Sequence, residues 1–321
     1  MAKAVATAAI ERPGRPRGMA RQSAQAYAYV LPAFFFMAFA TLIGVAYTVY
    51  ISFTNADGLE HFDPSTWDRV GLRNYKDVLF DLEFSTFLQV LEWTLAFALL
   101  SMAVSFGIGL LLALLLNDES IRERHIYRTL LIIPWALPGT IAILSWSGIL
   151  NSDFGYLNNF LQDIGLHRVN WLNDPAWARF SVVLVNVWLS FPFMMTACLG
   201  ALQSVPDELG ESARIDGAGP LSRFRYVSLP FLRSVVTPLL IGNFAFQFSN
   251  FNAIYLLTRG NPPSADTDAG KTDILISYTY SQVIERQRFA IAACYAVLIF
   301  LIIGTISLVN MKLSKAFEET K

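Results

Sequence analysis

Charged residues are scarce in this chain of 321 residues. Asp, Glu, Lys and Arg together make up 15% of it, while 54% is hydrophobic. So little polar surface cannot cover a soluble globule of this size, and the composition therefore favours a lipid bilayer as the solvent. The net charge of -1 offers no concentrated basic face for phosphates, which argues against a nucleic acid as partner.

Cysteine and histidine are also rare. Cys198 and Cys294 lie in apolar stretches, where a small buried side chain is the ordinary role, so no disulfide or metal framework is indicated. His61, His125 and His167 fall in loops, which disfavours an intramembrane metalloenzyme. A phosphate-binding run of the form G-x-x-x-x-G-K-[ST] is missing, so the chain is not expected to hydrolyse ATP by itself. We predict no catalytic residue, no metal site and no cofactor.

Long runs without any charged side chain dominate the sequence. A membrane helix needs about 20 consecutive apolar residues, because the hydrocarbon core is about 30 Å thick and each residue rises about 1.5 Å. Six windows satisfy this requirement, and no other charge-free run comes close in length. We therefore predict an all-α membrane protein with six transmembrane helices, at about 27–53, 87–116, 129–150, 178–203, 234–257 and 289–311.

The segments between the helices give the expected orientation. Lys and Arg are enriched on the cytoplasmic side of membranes. If the N-terminus is inside, the inner segments hold 15 of the 24 Lys and Arg residues. This bias places both termini in the cytoplasm. The predicted order is a basic tail at 1–22, a transmembrane domain at 23–315 with a cytoplasmic loop at 204–233, and a short tail at 316–321.

Prolines predict irregularities in two of the helices. Pro134 and Pro138 are one turn apart in the third helix, where each removes a backbone donor and strains the preceding turn, so a kink is expected. Two roles stay open for it, a static kink or a moving gate element. In the fourth helix, Pro192 follows Ser190 and predicts a break that faces protein or water.

The loop at 204–233 has the local chemistry of two short helices and a turn. Ser204 and Asp207 can form a capping box at the start of the first helix. Gly217 can take the left-handed conformation that ends it, and Pro220 can open a second helix, which should stop before Pro230. Such a projection suits docking, although an ordinary connecting loop has similar features.

The same loop resembles the EAA motif of ABC-type importer permeases. Glu211-Ser212-Ala213 is followed after three residues by Gly217, and after nine more by Val227-Ser228-Leu229-Pro230, which is the spacing of that motif. Ser212 replaces the usual Ala, and Val227 the usual Ile. In that family the loop is the coupling helix, which sits in a cleft of the ATPase subunit. The resemblance implies coupling roles for Glu211, Ser212, Ala213, Asp216, Gly217 and Ala218.

The resemblance extends from about Gly71 to the C-terminus and favours the binding-protein-dependent sugar permeases of the maltose type. It implies a type I ABC permease fold in lipid of the bacterial inner membrane. The implied partners are a second homologous permease subunit, an ATPase subunit dimer and an extracytoplasmic sugar-binding protein. The implied substrate is a maltose- or maltodextrin-like oligosaccharide. Another neutral solute such as trehalose remains an alternative, as does, in a different class, a six-helix membrane enzyme or assembly factor.

The predicted sugar pathway lies on the fourth and fifth helices. Phe246, Gln247 and Asn250 are spaced so that Phe246 and Asn250 share a helix face and Gln247 flanks it. An aromatic ring can stack on a sugar while amides bond its hydroxyls, but amides also join helices in membrane bundles. By resemblance to the maltose permeases, the pathway comprises Leu189, Ser190, Phe193, Asn243, Phe246, Gln247 and Asn250.

Overall fold

The computed structural model describes residues 17–58, 63–118 and 120–313, and side chains within these ranges from residue 27 to residue 309. This part of the chain is helical, with isolated β-bridges only. The predicted tail residues 1–16 and 316–321 lie outside it, whereas residues 17–22 begin the first helix. The helices are α1 (Arg17–Ser52), α2 (Arg73–Phe80), α3 (Phe84–Leu116), α4 (Arg124–Ala136), α5 (Gly139–Ile149), α6 (Tyr156–Asp163), α7 (Pro175–Gln203), α8 (Asp207–Ile215), α9 (Pro220–Arg223), α10 (Leu229–Phe248), α11 (Phe251–Tyr255), α12 (Leu275–Ile284) and α13 (Phe289–Leu313).

The described helices confirm the all-α membrane fold. Five segments are long and apolar enough to cross a membrane, and α4 with α5 forms a sixth if this bent pair counts as one span. The chain up to Tyr50 is a compact unit of its own, and the chain from Ile51 onward is a second unit, which holds the helix contacts and the cavity described below. The five single spans are Tyr27–Ser52, Phe84–Leu116, Pro175–Gln203, Pro220–Phe248 and Phe289–Val309.

The third predicted helix, 129–150, is two helices rather than one. The helices α4 and α5 meet at an angle of 90°. Leu137 between them is extended, with φ -74° and ψ 145°, which is the region that a following proline imposes. Pro138 itself lacks the amide that a continuous helix would need. The expected kink is therefore a complete break at Leu137 and Pro138, while Pro134 lies inside α4.

The fourth predicted helix is not broken, contrary to the expectation from Pro192. Helix α7 continues through this residue over 29 residues, and Asp174 caps its first turn by accepting two backbone amides. Pro192 removes the helical donor of one carbonyl, that of Trp188. Pro192 is buried and α7 packs along α3, so tertiary contacts support the helix where this bond is lost.

The segment around the EAA motif departs from its predicted form in two places. Ser204 bonds backward to the carbonyl of Ala201 at 2.7 Å and does not cap α8, so no capping box forms. The helix that Pro220 opens does not stop before Pro230. It passes through a π-helical turn, Phe224–Ser228, and continues as α10. The wider turn shifts the hydrogen-bond register just where proline lacks its donor.

The turn at Gly217 agrees with the prediction. Gly217 has φ +78°. Its amide donates to the carbonyl of Arg214 at 3.0 Å, and the amide of Ala218 donates to that of Ala213 at 2.9 Å. These two bonds are the Schellman motif, which satisfies the last carbonyls of α8 and requires a left-handed residue.

Helix α3 contributes to each of the three apolar clusters of the second unit, where it meets α7, α10 and α13 among others. Its close approach to α7 depends on Gly109. A Cβ there would lie 2.7 Å from the amide nitrogen of Met195 and 2.8 Å from the Cβ of Met194. The two backbones therefore cross at a distance that only glycine permits.

Candidate functional site

A cavity of about 610 Å³ lies between the bent pair α4–α5, helix α7 and the segment α10–α11. Leu137, at the break between α4 and α5, is one of its lining residues. None of the residues that line it carries a formal charge. The lining residues are Pro134, Trp135, Leu137, Gly139, Ile143, Asn186, Leu189, Ser190, Phe193, Pro238, Leu239, Gly242, Asn243, Phe246, Asn250, Asn252 and Ala253.

Most of the predicted pathway residues lie on this cavity. Gln247 is the exception. Of the two prolines predicted to kink the third helix, Pro134 lines the cavity and Pro138 does not. The structure thus brings together residues that are far apart in the sequence. The pathway residues on the wall are Leu189, Ser190, Phe193, Asn243, Phe246 and Asn250.

Gln247 is fully buried behind the wall. Its Oε1 accepts from Nδ2 of Asn186 at 2.9 Å and from Nδ2 of Asn250 at 3.2 Å. Its Nε2 donates to Oγ of Ser190 at 3.4 Å. These contacts join α7 to α10, which is the interhelical role that the sequence left open for the amides.

Asn250 has a different position from the one that helical spacing predicts. Helix α10 ends at Phe248, so Asn250 and Phe246 do not share a helix face. Both residues still line the cavity, because the chain turns between α10 and α11. Asn250 donates to Oδ1 of Asn186 at 2.8 Å, and its own Oδ1 accepts from the amide of Ala253 at 3.4 Å. It therefore caps α11 and presents its side chain at the wall.

Among the cavity residues that sequence reasoning missed, such as Trp135 and Asn252, Asn186 makes the most contacts with the predicted site. It is buried, lines the cavity and contacts both Gln247 and Asn250. Its position one helical turn before Ser190 was the available signal, because an amide inside a charge-free span needs a polar partner. Asn243 adds a further amide, whose buried Oδ1 has no hydrogen-bond partner within the described chain.

Aromatic rings form the apolar part of the wall. The rings of Trp135 and Phe193 lie 6.2 Å apart, which joins α4 to α7 across the cavity. Phe246 is 66% exposed and offers a free ring face. Amides next to open aromatic faces suit a ligand that is apolar on one side and hydroxylated at its edges.

The residues of the EAA motif form a separate, surface-exposed segment. Glu211, Ser212, Asp216 and Gly217 are exposed, and Ala213 and Ala218 are partly exposed. The neighbouring Ile215 is 87% exposed, which is high for a large apolar side chain. An exposed apolar residue on a rigid turn is a feature of interaction surfaces.

Comparison with known proteins agrees with this arrangement. Residues 105–317 match the family described as binding-protein-dependent transport system inner membrane component. The galactooligosaccharides transport system permease protein GanP of Bacillus subtilis (strain 168) is 35% identical over 300 residues, which are 92% of this chain and 72% of GanP.

A second relative is the maltose/maltodextrin transport system permease protein MalF of Salmonella typhimurium. It is 39% identical over 275 residues, 83% of this chain and 54% of MalF. The chain thus spans about half the length of the MalF relatives that it matches. The same fold occurs in a solved bacterial ABC transporter that imports the acidic polysaccharide alginate, with a TM-score of 0.77, 23% identity and coverage of 93% of this chain and 98% of that one.

The matched family, the similar permeases and the shared fold all concern transport components of the membrane rather than enzymes. The chain belongs to the binding-protein-dependent transport system inner membrane component family, the permease subunits of ABC importers.

Proposed function

We propose that this chain is the transmembrane permease subunit of an ATP-driven importer for a neutral oligosaccharide of the maltose or maltodextrin type. The cavity is the observation that carries the proposal, since it combines amides, open aromatic faces and no formal charge. Sugar hydroxyls bond amides, and the apolar face of a sugar ring stacks on aromatic side chains. An anion such as glycerol 3-phosphate is disfavoured, because a buried phosphate needs a cationic partner.

The similarity to GanP favours a second candidate, a galactooligosaccharide. Galacto- and maltooligosaccharides are both neutral and hydroxylated, so the amide and aromatic wall suits either. Trehalose has the same general chemistry and stays in the set of candidates. The similarity to MalF, at 39% identity, is the reason to place maltodextrins first.

Import requires partners in this proposal. The sequence has no phosphate-binding run, so ATP hydrolysis is assigned to a separate ATPase dimer. The exposed segment with Glu211, Gly217 and the other motif residues would dock on it from the cytoplasmic side. A second homologous permease and an extracytoplasmic binding protein complete the complex, in which the bent pair with Pro134 and Pro138 is the gate beside the cavity.

The test is sugar-dependent activity of the complex purified through a tag on this chain. Reconstituted in liposomes with its binding protein, the complex should hydrolyse ATP faster and accumulate sugar when maltotriose is supplied. Galactotriose, trehalose and glycerol 3-phosphate are the comparison solutes. Stimulation by galactotriose alone would select the second candidate, and stimulation by glycerol 3-phosphate alone would contradict a neutral sugar pathway.

A further inference from the structure

We propose that Gln247 is a positioning residue that holds Asn186 and Asn250 with their amide oxygens available to the hydroxyl groups of the substrate. The inference rests on the proposed function, which makes the cavity the path of a sugar. It assigns Gln247 a role behind the wall rather than in contact with the ligand, because the residue is fully buried and does not line the cavity.

Counting donors shows what Gln247 does to the two asparagines. A side-chain amide has two N–H donors and one oxygen with two lone pairs. The Nδ2 of Asn250 donates to Oε1 of Gln247 and to Oδ1 of Asn186, which uses both of its hydrogens. The Nδ2 of Asn186 gives one hydrogen to the same Oε1. A single buried oxygen therefore accepts from both asparagines.

The side-chain oxygens of Asn186 and Asn250 can each accept a further hydrogen bond. Oδ1 of Asn186 accepts one hydrogen bond, from Asn250, and Oδ1 of Asn250 accepts one, from the amide of Ala253. Each keeps a lone pair. Oδ1 of Asn243, on the same wall, is buried without a partner in the described chain. The remaining lone pairs of Asn186 and Asn250 can accept hydrogen bonds from O–H donors.

Ser190 fixes the direction of Gln247. The hydroxyl of Ser190 donates to the backbone carbonyl of Asn186, so its oxygen accepts from Nε2 of Gln247. If the amide of Gln247 flipped, its oxygen would face an oxygen that has no hydrogen left to give. The donor end of Gln247 is therefore committed to Ser190, and the acceptor end to the asparagines.

This arrangement favours a substrate that offers hydroxyl donors and carries no negative charge. A neutral oligosaccharide carries many O–H donors, which the free lone pairs of Asn186 and Asn250 can accept. The carboxylates of an oligouronide only accept hydrogen bonds, and they would meet acceptors without a cation. The solved importer with the same fold carries acidic alginate, so this discrimination must come from side chains and not from the fold.

The experiment compares Gln247→Met with Gln247→Glu. Methionine has a similar length and no amide, so it releases both asparagines. A buried glutamic acid without a cation stays protonated, and it keeps one accepting oxygen and a donating hydroxyl that can reach Ser190. Thr196→Val is the matched control, since it removes a polar group from α7 that bonds only the carbonyl of Pro192.

We expect Gln247→Met to raise the KM for maltotriose uptake about tenfold through hydrogen bonds lost to the ligand, with Vmax, assembly and basal ATP hydrolysis near wild type. Gln247→Glu and Thr196→Val should keep the wild-type KM. An unchanged KM in Gln247→Met, or an equal loss of assembly in the Met and Glu variants, would overturn the positioning role.

A second measurement does not depend on any variant. Calorimetry on the purified complex, without the external binding protein, should detect binding of maltotriose and none of trigalacturonate. Equal binding of the two would overturn the inference even if the Met variant failed to assemble. If the wild type imports no neutral oligosaccharide, the proposed function itself fails, which is a separate result.

Discussion

Two neighbouring amide side chains, Asn250 and Gln247, have different roles in the cavity wall and in helix packing. Asn250 reaches the cavity wall, whereas Gln247, three residues earlier, is buried between α7 and α10. Their hydrogen bonds to Asn186 connect the two roles, so a change at either position acts on both the wall and the helix packing. For each variant at these positions, both the transport kinetics and the assembly of the complex must therefore be measured.

Asn250→Leu should weaken transport without unfolding the protein. Leucine fills the space but leaves substrate hydroxyls unpaired, at a cost of about 1–3 kcal/mol, which corresponds to a roughly 5- to 150-fold loss in transport efficiency. Uptake at subsaturating sugar measures the loss, and basal ATP hydrolysis should persist. If the variant fails to assemble while Phe246→Ala transports normally, the amide serves helix packing and the sugar site lies elsewhere.

At the scale of the helix, one glycine decides whether α3 and α7 can cross. Gly109→Val places side-chain atoms against the backbone of Met195, 2.7 Å from the position of the new Cβ. The helices must separate, so we expect a large loss of stability, seen as low levels in the membrane and a reduced melting temperature of the purified protein. Overpacking of this kind costs about 1–3 kcal/mol or more.

Gly107→Val is the matched control for this prediction. Gly107 lies on the same helix, at an exposed position with open space around a new Cβ. The substitution should leave the melting temperature nearly unchanged. Equal effects at Gly107 and Gly109 would mean that valine itself, and not the helix crossing, is responsible.

The turn after α8 is the second element on which function depends. Gly217 has open space around it but a φ of +78°, so Gly217→Val is strained by the backbone rather than by a clash, at a cost of about 1–2 kcal/mol. We expect the protein to insert and uptake to be lost, because the exposed turn no longer fits the ATPase. Co-purification of the ATPase and sugar uptake measure the two effects.

Two substitutions control this prediction. Gly217→Asn should retain uptake, since asparagine tolerates the left-handed conformation better than other side chains. Gly210→Val, within α8 and also in open space, should retain the turn. Normal uptake in Gly217→Val would remove the coupling role from this turn.

For the whole molecule, the testable property is its orientation. The charge bias predicts that 204–233 faces the cytoplasm and that the loop after α11 faces outward. Cysteines introduced at Asp207 or Ser222 should resist an impermeant reagent in sealed cells, while one at Asp266 should react. The native Cys198 and Cys294 are buried, which keeps the background low. Labelling of a cysteine at position 207 from outside would show that the protein has the opposite orientation.

Much of this molecule is determined by sequence alone. The lengths of the charge-free runs predict the spans, because lipid cannot satisfy exposed polar groups and only helices of sufficient length cross it. The turn at Gly217 is likewise local, since a left-handed residue followed by a proline-opened helix depends on neighbouring residues only.

Tertiary structure decided the rest. Pro138 breaks the third span and Pro192 does not break the fourth, although both are prolines in apolar runs, because Pro192 is packed inside α7 against neighbouring helices. Because α10 ends at Phe248, Gln247 lies in the helix and Asn250 lies in the turn after it. Asn186 on α7 forms hydrogen bonds with both residues. Such assignments depend on which helices meet, and contacts between residues about 60 positions apart are not contained in any local pattern.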